Sequence, residues 1–76
     1  MISPAQSRAA RALIEWSQQD LAIKAGVGLS TVRDFEKGRR TPIRQNLEAI
    51  QRALEAAGVE FLDPNGWGAG VRLQEN

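Results

Sequence analysis

The chain has 76 residues, with ten Lys or Arg against nine Asp or Glu, a net charge of +1, and neither cysteine nor histidine. That length fits one small domain, whose core is marginal unless oligomerisation helps it. The composition excludes disulfides, thiol chemistry, the usual zinc ligands and the commonest catalytic base, and no apolar run approaches membrane-spanning length.

Met1-Ile2-Ser3-Pro4 has no basic or hydrophobic leader region, so a soluble cytoplasmic protein is expected. Ser3 caps a first helix, Pro4 suits its first position and Gln6 completes a capping box. This helix is expected over 4–15, with Ala9, Ala10, Leu13 and Ile14 inward and Arg8 and Arg11 at least partly outward. Trp16, at the junction, reads as half-buried packing. Ser17 caps a second helix over Gln18–Ala25, where the Asp20 charge suits the N-terminus. Gly26 and Val27 make a tight turn, and a third helix follows over 29–37, closed by Gly38. The spacing of Leu21, Ala25, Val27, Val32 and Phe35 lets them converge on one core. Ala22 is small enough for a second helix to cross closely. Gly28, Ser30, Thr31, Arg33 and Asp34 are left facing outward. After Thr41-Pro42 a fourth helix is expected over 44–57, with Leu47, Ile50, Ala53, Leu54 and Ala57 on one stripe and Gly58 as its stop.

Beyond Gly58 the period changes from helix to strand. Val59–Leu62 reads as a short strand, 63–66 as a turn, 67–70 as a glycine-rich loop and 71–73 as a second strand. This divides the chain into a helical unit over 1–58 and a β-appendage over 59–76. An isolated hairpin is marginal, and an unpaired strand edge invites another chain. One expectation is therefore that Val59, Phe61 and Leu62 pair with their copies across a two-fold axis, as a dimer interface. The other is a hairpin packed on the fourth helix of its own chain. Both satisfy the backbone, and both stay open. For Trp67, a position folded back on the fourth helix, an exposed one and a partner interface are equally open.

The small net charge hides an asymmetry. Residues 1–44 hold eight Lys or Arg against four Asp or Glu, whereas 45–76 hold two against five. Basic charge thus concentrates where two short helices meet at a glycine turn, an arrangement whose second helix can enter the major groove of DNA.

The residues around that turn carry a resemblance. Trp16-Ser17-Gln18, Leu21-Ala22, Ala25-Gly26-Val27, Thr31-Val32, Glu36 and Gly38 follow the pattern of the lambda-repressor-like (Xre-type) helix-turn-helix family, and Arg39, Arg40, Thr41 and Pro42 extend it. The likeness covers roughly residues 3–58. It implies a mainly α fold of four to five helices, here with a short C-terminal β-strand or hairpin. It also implies a homodimer that reads double-stranded DNA without a cofactor. By family register, the base-contacting positions are Leu29, Ser30, Thr31, Arg33 and Asp34. Arginine can pair bidentately with guanine, aspartate can accept from the cytosine amino group, serine can do either, and leucine can touch a thymine methyl. Arg11, Ser17, Gln18, Arg39, Arg40 and Arg44 are the phosphate-contact candidates, which position without reading sequence. Gly28 departs from the Ser, Thr or Asp of many relatives and removes a side-chain cap from the third helix.

No enzymatic activity is expected, since the carboxylates are spread over helix surfaces and no phosphate loop links a strand to a helix. The expected function is a sequence-specific transcriptional regulator, a repressor in its simplest form. The C-terminal part also resembles HipB-type antitoxins, so an autorepressing antitoxin with a toxin protein as partner is the alternative.

Overall fold

In a computed structural model, residues 1–63 and 68–74 are described. Four helices come first, α1 (Pro4–Ile14), α2 (Gln18–Ala25), α3 (Leu29–Glu36) and α4 (Arg44–Ala56), followed by strands β1 (Val59–Leu62) and β2 (Gly70–Leu73).

Local chemistry explains the helix ends. The Ser3 hydroxyl accepts from the Gln6 amide at 3.1 Å, and Gln6 Oε1 accepts from the Ser3 amide at 2.8 Å. Ser17 and Asp20 form the same reciprocal box at α2, at 3.0 and 2.9 Å. Both boxes satisfy amides that a helix start leaves open. Gly26, at φ +70°, turns the chain out of α2 in the left-handed region that glycine adopts without penalty. α3 ends one residue earlier than its spacing predicts. Gly38, at φ +73°, then folds the chain back so that the Arg39 and Arg40 amides both donate to the Asp34 carbonyl, at 2.9 and 3.4 Å. α4 also stops one residue early, before Gly58.

Leu21, Ala22, Val32, Phe35, Leu47, Ile50 and Leu54 form the centre of the core, as the spacing predicts, with Ala25, Val27 and Trp16 half-buried around it. α2 packs on α3 and α4, and α1 packs on α3. Ile2, absent from the expected core, also tucks inside.

α1 keeps Ala10 and Ile14 of its predicted face inward and departs from the rest of it. Gln6, Ser7 and Ala10 are buried, whereas Ala9 and Leu13 are exposed. The helix is phased by polar partners rather than by its apolar residues: Ser7 and Arg11 turn inward to meet a carboxylate on α3.

The C-terminal strands form a hairpin within one chain, in antiparallel register from Val59 opposite Leu73 to Leu62 opposite Gly70. It packs on α1 as well as on α4. Gln6 Nε2 donates to the Gly70 and Leu62 carbonyls, at 3.0 and 3.4 Å, and so ties the start of α1 to the far end of the hairpin. This corrects the intersubunit assignment of Val59. Its side chain is 1% exposed in the chain's own core, where Phe61 and Val71 pack against it. Phe61 and Leu62 are half-buried. The β-appendage is therefore part of the same core as the helices. Trp67 lies outside the described residues.

Candidate nucleic-acid interface

α3 has two faces of different character. On the inner face Val32, Phe35 and Glu36 are buried. The buried glutamate is held by a closed set of donors. Ser7 Oγ donates to Glu36 Oε2 at 2.6 Å, Arg11 Nε donates to Oε2 at 2.9 Å and Arg11 Nη2 to Oε1 at 2.7 Å, and Gln18 Nε2 donates to Oε1 at 3.1 Å. Arg8 Nη1 donates to the Glu36 backbone carbonyl. One acid thus joins α1, α2 and the end of α3. Burial works against its charge, but the hydrogen bonds from Arg11, Ser7 and Gln18 outweigh that and hold its carboxyl below the usual glutamate range. Among the described residues, no buried side-chain polar atom lacks a partner.

Two phosphate-contact assignments change here. The Arg11 guanidinium is engaged by Glu36 and by the Trp16 carbonyl, at 3.0 Å, and stays only partly exposed. Gln18 keeps its place in the first turn of α2, but its amide nitrogen points inward to Glu36. Ser17 is exposed at the cap of α2. Sequence reading placed Glu36 in a motif and counted it among the carboxylates on helix surfaces, whereas the structure buries it. The signal was its spacing: positions 32, 35 and 36 share one helical face, so a charge there must be buried and paired.

The outer face of α3 is the opposite. Ser30 and Arg33 are exposed, and Leu29, Thr31 and Asp34 are half-exposed. Arg39 and Arg40 follow on the loop, also exposed. Among the described residues, the side chains of Arg33, Asp34, Lys37, Arg39 and Arg40 make no ion pair, whereas Arg44, Arg52 and Arg72 each meet a glutamate, with Arg44 to Glu48 at 3.1 Å. Arg44 is 85% exposed in that pair, so solvent screens it and the guanidinium remains available.

Ser30, Thr31 and Asp34 of α3 line a concavity together with Arg40, Ile43 and Asn46. Ile43 and Asn46 were not singled out from the sequence, because a lone apolar residue before a helix and an asparagine in its first turn are both commonplace. Gly28 caps α3 with no side chain and at φ −70°, a backbone conformation open to any residue. Among the described residues, no helix is long and apolar enough to cross a membrane.

α2, the glycine turn and α3 form a helix-turn-helix whose second helix is braced on its inner side and open on its outer side. The family model for helix-turn-helix matches residues 8–61, from Arg8 on α1 into β1. No curated protein sequence is matched. The chain belongs to the lambda-repressor-like helix-turn-helix family of DNA-binding regulators.

Proposed function

We propose that the protein is a homodimeric repressor that reads a two-fold operator with the outer face of α3. One observation carries this reading. Arg33, Lys37, Arg39 and Arg40, exposed and without an ion pair among the described residues, give a cationic surface on and just after the helix that the Glu36 cluster braces. A rigid helix with unengaged donors suits the major groove, where each base pair shows its own pattern of donors and acceptors. Ser30, Arg33 and Asp34 take the base edges, with Leu29 and Thr31 beside them. Arg39, Arg40 and Arg44 take flanking phosphates, helped by Ser17 at the α2 N-terminus. Two such helices on a two-fold axis stand about 34 Å apart, one turn of DNA. A dimer bound across a promoter blocks polymerase sterically. The protein acts in the cytoplasm, by binding and without catalysis.

Selection from a random duplex pool tests the reading. The expected product is a pair of inverted half-sites one helical turn apart. A pool with no enriched site at low ionic strength overturns it, and a single unrepeated half-site overturns the dimer alone. Replacing Arg39 and Arg40 by alanine is expected to weaken all duplexes alike and reduce the salt slope by about one per arginine. Because Val59 lies in the core, removing residues 59–76 would damage the fold, so the dimer is tested by the sedimentation mass of the whole chain. The antitoxin alternative shares this chemistry and adds a toxin partner, which would co-purify in stoichiometric amount from the native cell.

A further inference from the structure

We infer that Asp34 is a specificity gate: its carboxylate weakens binding to wrong duplexes as much as it favours the right one. The inference rests on the major-groove reading above and concerns one side chain within it. Asp34 is half-exposed, in the last turn of α3, and lines the same concavity as Arg40 and Asn46. It stands next to Arg33 in sequence and shares the cationic surface with it. Yet its carboxylate makes no hydrogen bond or ion pair among the described residues. Other acids nearby are engaged. Asp20 caps α2 and Glu36 is enclosed by donors. The structural part of Asp34 is played by its backbone, whose carbonyl accepts the Arg39 and Arg40 amides. The side chain can therefore be changed without disturbing the turn that closes α3.

An unpaired carboxylate carried into a groove flanked by phosphates is repelled by both strands. A cytosine amino group opposite it supplies a donor and offsets that repulsion. Guanine N7 and O6, or thymine O4, offer only lone pairs and add to it, while adenine sets its N7 lone pair beside its amino donor and so offsets the repulsion less well than cytosine. One negative charge in a positive surface thus separates right from wrong sites from both sides, by attraction to the cytosine amino group and repulsion by bases that present lone pairs.

The test uses the full chain and two variants, Asp34→Asn and Asp34→Ala, each checked for an unchanged melting temperature. Each protein is put through selection from a random duplex pool, then titrated against the wild-type site and a scrambled duplex. The wild type is expected to require cytosine at one position of each half-site. Asp34→Asn should move that preference to adenine, which an amide pairs bidentately. Asp34→Ala should lose the preference and bind the scrambled duplex several-fold more tightly, shrinking the specificity ratio by about ten- to a hundredfold. Variants that select the wild-type site and bind scrambled DNA no more tightly overturn the gate while leaving the DNA reading intact. A wild type that selects no site removes both.

Discussion

The inner and outer faces of α3 carry the same kinds of residue in opposite states. Inside, Glu36 is 2% exposed and surrounded by Ser7, Arg11 and Gln18. Outside, Arg33 and Asp34 lie one residue apart in sequence and make no ion pair among the described residues. Polarity by itself therefore says little about role in this protein. What separates the structural charges from the functional ones is whether the chain itself has satisfied them.

The largest break in this comparison comes from the inner face. Glu36→Ala leaves the half-buried Arg11 cation and the Ser7 hydroxyl without their acceptor. Removing one member of a buried pair costs about 3–5 kcal/mol, a large part of the stability of a small domain. Urea denaturation should show that loss, with DNA binding lost alongside it. Replacing both partners, as in R11M/E36L, should cost far less, because no charge is then left buried alone. The same cluster sets an acid limit. A glutamate whose folded-state pKa lies below its unfolded value contributes stability that is present above the unfolded value, ordinarily 4.5, and is lost as pH falls through the folded one. Denaturation midpoints should accordingly decline with acid below about pH 4.5, and that decline should be shallower in Glu36→Gln.

A smaller effect is expected at Gln6, which lies off α3 altogether. Gln6→Ala removes one half of a capping box and the link to the Gly70 carbonyl. The expected loss is about 1–2 kcal/mol by thermal denaturation, with the selected DNA sequence unchanged. A changed base preference would show that the hairpin takes part in reading DNA. The smallest effect is a gain. Gly28→Ser restores a cap at a backbone conformation any residue can adopt, and an added Cβ would meet only Ser30 Oγ and Thr31 Oγ1, both at 3.8 Å. Stability should rise by roughly a few tenths of a kcal/mol, again without altering the bases selected.

The limits of sequence reading follow from the same contrast. Helix boundaries were legible to within a residue because Ser3, Ser17, Gly26, Gly38 and Gly58 act locally, through caps and left-handed turns. The central core was legible because Leu21, Val32, Phe35, Ile50 and Leu54 obey helical spacing. The inward face of α1 was not. Its buried polar residues are Gln6 and Ser7, and what holds them inward lies far along the chain: the Gly70 carbonyl for Gln6 and Glu36, 29 residues beyond, for Ser7. Arg11 was misread for the same reason, since a cation on α1 shows no trace in sequence of the acid that holds it. The pairing of β1 was equally open, because strand signals at 59–62 and 71–73 state a need for a partner without naming one.

Arg33→Ala is the most direct test of the contrast between the two faces. Stability should stay within about 0.5 kcal/mol of the wild type, as for an exposed side chain that makes no ion pair among the described residues. Affinity for the selected site should fall by about ten- to a hundredfold, toward that for scrambled DNA. A variant that binds the selected site as tightly as the wild type would contradict the assignment of the outer face to reading DNA.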